Sequence, residues 1–528
     1  MSRHAGVMLP FFSAPSSRSW GAGELPDLVP LAEWLASAGF DRLLLLPIGP
    51  MAGGDTSPYS AISALAIDPN FIALEDMPEF QRAGGAPALG VATRTDIEEA
   101  RGSGRVRYPA IRRAKAEALS LAFECFIRDE WLQFTTRASE LAGYIARERW
   151  WLDEFALYQA LARTLGQPSW RDWPPPLRDR DHTALGEARR SLAREMLRHQ
   201  YLQWVAETQW QRARSGAHAH GVTVFGDMPF MVAMAGPDVW VRPGEFLLDV
   251  SLGVPPDAFS AAGQDWGLPT YRWDRIRESG FAWLRQRARR MAALYDGYRV
   301  DHLVGWYRTF GRPATGDPFF NPDDEPTQTA QGEAVIRILC ETGADVIAED
   351  LGLVPDFVRA SLARLGVPGC KVLRWERDWH ANGQPFVDPR GYPENTAAMT
   401  GTHDTETLAG WWTSAAPGDR HALAALVLGT GSGRIDPASE WSPQIRDAIL
   451  SVIYRSGSKN VFLPIQDVFG WFDRINIPAT VGDHNWTWKL PWPVDKMAEA
   501  GEANARAKWC RDLGRLVGRP FRAANCRG

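Results

Sequence analysis

The sequence predicts an α/β chain built as a closed (β/α)8 barrel, with large, mainly helical insertions between strands and no C-terminal β-sandwich domain. Three observations lead there. Eight short apolar runs recur along the 528 residues, each ending in polar, Gly or Pro residues. Most are followed by a segment of helical periodicity. The runs read as buried on both faces, which is the pattern of parallel strands covered by helices. An open doubly wound sheet is the rival, weakened because no GxGxxG follows any run; GTGSGR from Gly429 follows a helical stretch and reads as a loop.

In chain order the strand candidates are GVMLPFF near 6–12, DRLLLLPIG near 41–49, VTVFGDMPF near 222–230 and GYRVDH near 297–302, then DVIAEDL near 345–351, CKVLRW near 370–375, MTGTHD near 399–404 and NVFLPIQD near 460–467. LPDLVPLAEWLASAG supplies a helix after the first. PDFVRASLARLG supplies one after the fifth, with Pro near its start, where a missing N–H costs least. The gap between the second and third runs far exceeds one crossover helix. Residues 50–220 therefore form a largely helical inserted subdomain: Ile111–Gly166 is strongly helical in composition, PSWRDWPPPLRDRD reads as a loop, and ARRSLAREMLRHQYLQWVAETQW reads as one long helix. Residues 227–295 form a loop and helix insertion over the active face. All of this belongs to one barrel unit spanning 1–528.

Composition narrows the function classes. A net charge of -5 gives no electrostatic reason to bind a polyanion, so nucleic acid is not an expected partner. No run approaches the roughly 18 apolar residues of a membrane span, and the N-terminal apolar stretch is interrupted by Pro10. Cys125, Cys340, Cys370, Cys510 and Cys526 show no CxxC spacing, which argues for a reducing compartment, the cytoplasm, and against a zinc site. The 24 Trp, 23 Phe and 11 Tyr supply rings that suit both a core and a surface for amphipathic ligands such as sugars.

Chemistry in such a barrel collects at the C-terminal strand ends. The acids there are Asp227, Asp301, Glu349 with Asp350, Asp404 and Asp467. A lone strand-end Asp is more often a helix cap than a catalyst. Several converging on one face raise one another's pKa and destabilise the fold unless they are used. A carboxyl pair flanking an acetal carbon is what glycosidic cleavage requires, one group ionised and the other protonated. Arg299 lies on the same side of its strand as Asp301 by the period of two, where it would keep that carboxylate ionised and aligned; taken alone, the pair could equally be a structural ion pair. Glu349 ends the apolar run DVIA, surroundings that hold a proton on a carboxyl group. His403 beside Asp404 could be half of a metal site, but no HxxxH or similar spacing supports ligation.

These residues carry a resemblance. RVDH at 299–302, AED at 348–350 and GTHD at 401–404 resemble the three signatures of the α-amylase clan of retaining glycosidases and transglycosidases, on the fourth, fifth and seventh strands. Within the clan the chain is similar to the 4-α-glucanotransferase (amylomaltase, disproportionating enzyme) family. MLPFFSAPSSRSWGAGEL, SPYSAISALAIDPNFI, GDMPFMVA, VPPDAFSAAGQDWGLPTYRW, EDLGLVPDFV, GTHDTETLAGWW and RINIPATVGDHNWTWKL carry that likeness nearly end to end.

The resemblance implies roles by position. Asp301 corresponds to the nucleophile, Glu349 to the general acid/base, and Asp404 to the carboxylate that grips the sugar and favours its distorted ring. Arg299, His302 and His403 correspond to residues that set the nucleophile's charge and bind the adjacent sugar, Tyr59 to a ring beneath that sugar, Gln264 and Trp266 to a loop over the glucan, and Asn485 to a contributor from the last strand's loop. The implied activity is transfer of α-1,4-glucan segments between donor and acceptor glucans, maltooligosaccharides and glucose included, by a retaining double displacement with no metal or organic cofactor. A hydrolase of the same clan and a catalytically silent glucan-binding protein are the alternatives. The residues left after the last helix, from Arg511, are too few for the sandwich common in the clan's hydrolases. A monomer or weak homo-oligomer is expected. The chain departs from the commoner pattern at Ser60, at Met234 to Gly236, at Leu303 and Val304, and in the loop 319–333.

Overall fold

The computed structural model describes residues 3–256, 263–478 and 480–521. Numbered in chain order, its strands are β1 (His4–Leu9), β2 (Arg42–Leu45), β3 (Thr223–Met228), β4 (Phe246–Val254), β5 (Gln264–Tyr271), β6 (Gly297–Val300), β7 (Thr309–Pro313), β8 (Phe319–Asn321), β9 (Asp345–Ala348), β10 (Gly369–Val372), β11 (Thr396–Met399) and β12 (Asn460–Pro464). Each of the eight apolar runs overlaps a strand, the seventh only at Met399, where β11 ends. Together they close a barrel in the order β1-β2-β3-β6-β9-β10-β11-β12 and back to β1, every pair parallel.

The sequence builds the barrel by leaving no polar face on these strands. β2, β6, β11 and β12 are buried at every position, as strands between a packed interior and a helical jacket must be. Phe225 fills the interior so closely that a Cβ at Gly297 would lie 2.3 Å from its ring, which is why β6 begins with glycine. The helix after β1 is Leu28–Ser37, and that after β9 is Asp356–Leu365, with Pro355 as N-cap and Gly366 at φ +69° ending it.

Between β2 and β3 the long helices are Tyr108–Phe126, Thr136–Leu165 and Ala193–Ala219. Thr135 caps the second, and Gly166 in the left-handed region stops it. Two local readings are corrected here. The long helix expected over ARRSLAREMLRHQYLQWVAETQW is broken at Leu192 into His182–Ser191 and Ala193–Ala219, and the proline-rich stretch read as a loop contains the helical turn Pro175–Arg178. Helix Ala193–Ala219 holds the preceding loop by two buried glutamines. Gln203 bonds N–H and C=O of Ile67 at 3.0 and 2.9 Å, and Gln209 bonds those of Ala73 at 2.8 and 2.9 Å. That loop carries Tyr59, so the insertion fixes a residue of the site.

The region 227–295, read from sequence as loop and helix, contains a β-hairpin. β4 and β5 join β7 and β8 in an antiparallel sheet of order β5-β4-β7-β8 outside the barrel. Alternation in Phe246, Leu248, Val250, Leu252 and Val254 encodes β4. Gly267 and Pro269 disguise β5 as a loop, and the pairing register shifts near them.

Candidate active site

Register between β3 and β6 sets Asp227 beside Arg299, on the same face of the barrel sheet. The buried Arg299 guanidinium is the hub. Its Nε and Nη2 donate to Asp227 Oδ2 at 3.0 and 2.7 Å, Nη2 also to Asp301 Oδ1 at 2.7 Å and the Tyr59 hydroxyl at 3.3 Å, and Nη1 lies 4.0 Å from Glu349 Oε2. The Tyr59 hydroxyl in turn donates to Asp227 Oδ2 at 2.6 Å. One cation thus faces three carboxylates from β3, β6 and β9.

Three carboxylates around one buried cation cannot all ionise cheaply. Burial raises Glu349 to about 8, Arg299 opposing and the neighbouring Asp301 charge adding to the rise. Burial also raises Asp301, but only to about 6, because the guanidinium touches it directly. The proton of the pair belongs on Glu349. The Glu349 carboxyl is further aimed by the backbone N–H of His302, which donates to Oε2 at 2.7 Å.

His302 has a left-handed backbone, φ +45°, a strained state for a residue with a Cβ and one that recurs at functional sites. Its ring stands edge to face with Trp266 at 4.8 Å and with Phe230 at 5.5 Å. Burial pushes it down to about 4, so it is neutral at pH 7. Trp266 is held by its own indole N–H, which donates to Gln264 Oε1 at 3.0 Å on β5. The outer sheet therefore delivers Gln264 and Trp266 to the edge of the carboxylate cluster.

From the loop after β11, His403 stacks on Tyr59 at 4.9 Å and 20°, with Trp486 beyond both rings. Its Nε2 is 3.3 Å from Asp404 Oδ2, and Asn476 Nδ2 donates to Asp404 Oδ1 at 2.6 Å. Burial pushes Asp404 up, but His403, Asn476 and Arg299 outweigh it and bring the carboxyl down to about 2. Arg474 grips the Asp404 carbonyl at 2.8 Å.

Of the strand-end acids, Asp227, Asp301, Glu349 and Asp404 share this network. The other two are spent elsewhere. Asp350 accepts from the Cys370 N–H at 2.7 Å, and Asp467 from Thr400 Oγ1 and the Leu408 N–H. Tyr59, Gln264, Trp266, Arg299, His302 and His403 all lie on or against the network. Asn485 does not: its amide braces its own loop, accepting from Ile477 N–H and donating to Thr480. Sequence reasoning gave no role to Asp227 and missed Arg474, Asn476 and Trp486. The first was visible as a strand-end acid; the others stand in loops where no period marks them.

The departures have structural uses. Leu303 is fully buried and Val304 packs against the core. The carbonyls of Met234 and Ala235 accept from Trp170 and Tyr158 of the insertion, and a Cβ at Gly236 would meet Ile62 O at 2.1 Å. Segment 234–236 is therefore a docking seam for the insertion. Among the described residues no group of three or more His, Cys, Asp and Glu could hold a metal ion.

A (β/α)8 barrel whose C-terminal face joins two carboxyl groups around a shared arginine, one raised modestly and the other much further, defines the class: a carbohydrate-active barrel built for glycosidic bonds. Comparison with known proteins narrows it. The family model for 4-alpha-glucanotransferase, glycoside hydrolase 77, matches residues 9–495, and the chain belongs to this family. It is 32% identical over 510 residues to the 4-alpha-glucanotransferase of Thermus thermophilus, covering 93% of this chain and 95% of that one. It is 31% identical over 503 residues to that of a Synechocystis species, covering 92% and 94%. An amylomaltase from Streptococcus agalactiae in complex with acarbose superposes with a TM-score of 0.82 at 24% identity, covering 98% of this chain and 100% of that one, and shares the fold.

Proposed function

We propose that this chain transfers α-1,4-glucan segments between glucans with Asp301 as nucleophile and Glu349 as general acid/base. Glu349 gives its proton to the glycosidic oxygen as Asp301 attacks the anomeric carbon; the C–O bond breaks and a covalent glucosyl-enzyme forms. The shortened glucan leaves with that proton. Glu349, now ionised, takes the proton of an acceptor 4-hydroxyl, whose oxygen displaces Asp301 from the anomeric carbon. Two inversions give retention. Asp404, held ionised, binds sugar hydroxyls and the developing positive charge, and Tyr59, stacked on His403, forms the floor beneath that sugar.

The observation that carries the reading is the single Arg299 guanidinium touching Asp301 at 2.7 Å while standing 4.0 Å from Glu349. One carboxyl is kept ionised and its neighbour is left protonated, the division of labour a retaining enzyme needs. Incubation with maltotriose tests it. A ladder of longer maltooligosaccharides with glucose is expected. Glucose and maltose alone would make the chain a hydrolase, and unchanged substrate would overturn catalysis.

A further inference from the structure

The turn after β6, Asp301 to Gly305, holds Glu349 twice. The His302 N–H donates to Glu349 Oε2 at 2.7 Å, and the Leu303 N–H donates to the Glu349 carbonyl at 3.3 Å. The first bond hangs on a residue with φ +45°, a strained state that persists only where the surroundings over-determine it. The His302 ring is what they grip. Trp266 and Phe230 stand on two sides of it at 4.8 and 5.5 Å, and Gly305 faces a third. A Cβ at Gly305 would lie 2.7 Å from His302 Cδ2 and 3.0 Å from Cε2 and Cζ of Phe230.

Nothing in the backbone asks for glycine at 305. The residue is buried in the short helix Val304–Tyr307, outside the left-handed region, where alanine is the better helix former. The chain forgoes that preference and keeps the space. Phe230 cannot make way, because it is buried with its ring edge to face against Trp306 at 4.8 Å and Tyr271 at 5.5 Å. An added methyl group therefore falls on the imidazole. Displacing that ring lets the strained turn relax, and relaxation draws the His302 N–H away from Glu349.

We propose that Gly305 is a positioning residue for Glu349: its missing side chain seats the His302 ring, and the seated ring holds the N–H that aims the general acid/base, an inference that rests on the glucan-transfer reading above. An N–H bonded to a carboxylate favours the ionised form, so its loss pushes Glu349 further up. The other groups facing Glu349 keep their places: Arg299 and Asp301 from β6 and its turn, Asp227 from β3, and the Cys370 thiol from β10, which burial raises and keeps neutral. The His302 ring, pushed down to about 4, carries no charge in this range.

The test is the pH profile of Gly305→Ala. Its kcat on maltotriose is expected to fall about tenfold at neutral pH, the loss of one charge-assisted hydrogen bond to the reacting carboxyl group. The basic limb of kcat/KM should move to higher pH while the acidic limb, set by Asp301, stays. Carbon-13 NMR of glutamate-labelled protein, with Glu349→Gln identifying the resonance, reads the same upward movement without substrate. In a His302→Ala background, already impaired, the same substitution should add no more than about twofold, because no ring is left to displace. Loss of kcat with both limbs in place, an unmoved Glu349 titration, or an equal fold-loss in both backgrounds would overturn the proposal. Should Gly305→Ala alone not fold, recovery of folded protein with His302→Ala added upholds it and failure to recover overturns it. A wild type inactive on maltotriose overturns the transfer reading instead, and the NMR titration still tests the positioning.

Discussion

The two ends of the barrel each bury an arginine, and the two are used in opposite ways. At the C-terminal face Arg299 meets three carboxylates, an excess of acid that only a proton on Glu349 relieves. Near the N-terminal ends of β1 and β12, Arg519 bonds to no carboxylate among the described residues. Its Nε donates to Tyr454 O at 2.8 Å, Nη1 to His4 O and Lys459 O at 3.1 Å each, and Nη2 to Ser456 O and Ser458 O at 2.9 and 2.5 Å. Burial, with Arg3 nearby, lowers it to about 9. Every donor has an acceptor, and the guanidinium ties the chain's last described turn to the first and last barrel strands. The upper site stores unfavourable electrostatics for chemistry. The lower one spends its charge on closing the barrel.

The largest expected effects come from the upper end. Asp301→Asn and Glu349→Gln should each lower kcat by about 10³-fold or more with circular dichroism unchanged, since each removes a group that bonds to, or moves a proton for, the reacting atoms. Residual activity above a few per cent in either would break the contrast by showing that the acid excess is not used. At the lower end, Arg519→Met should leave kcat of the folded enzyme within about twofold while costing ~2–4 kcal/mol of stability, because several buried carbonyls lose their donors together. Urea denaturation with activity assays on the same samples separates the two; loss of kcat without loss of stability would put Arg519 in the wrong category.

What was legible in sequence follows the same division. Strand runs, the signatures RVDH, AED and GTHD, and the period-two placement of Arg299 beside Asp301 are local patterns, and they suffice for the barrel and most of the carboxylate cluster. Asp227 needed the β3–β6 register, a contact across 72 positions that no local pattern announces. Asn476 and Arg474 lie in an aperiodic loop, reaching Asp404 from 72 and 70 residues away. The sheet β5-β4-β7-β8 failed for another reason: the alternation of β4 was present, but its partner β5 carries Gly267 and Pro269, residues that read as a break and here sit at register shifts.

A titration sharpens the contrast by its sign. Asp301 and Glu349 have folded-state pKa values raised above those of the unfolded chain, to about 6 and about 8. Below the unfolded values, about 4, both states hold the protons and the groups cost nothing. As pH rises through the folded values the unfolded state is already ionised while the native one resists, so stability falls between about pH 4 and 8. Asp301→Asn and Glu349→Gln should each flatten that fall and raise Tm near pH 8 by a few degrees. Activity needs Asp301 ionised and Glu349 protonated, so kcat/KM should be bell-shaped with its maximum between about 6 and 8. A Tm lowered by either substitution would show that the cluster stabilises the fold.

The smallest effect probes the margin of the cluster. Asp404 belongs to the upper face yet, unlike Glu349, is brought down to about 2, and Asn476 is one of the groups that outweigh burial there. Asn476→Ala removes a 2.6 Å bond to Oδ1 but leaves His403 within 3.3 Å of Oδ2, so the carboxylate stays ionised at neutral pH and loses only part of its aim. A neutral-to-charged hydrogen bond of this kind is worth ~1.5–3 kcal/mol when buried and less here, where the Asp404 side chain is 46% exposed. The expected outcome is a kcat lower by about three- to tenfold, with the acidic limb of the pH profile, set by Asp301, unmoved. A shifted acidic limb would mean that Asp404 and Asp301 titrate as one unit, and that the low carboxylate is governed by the Arg299 hub rather than by its own loop.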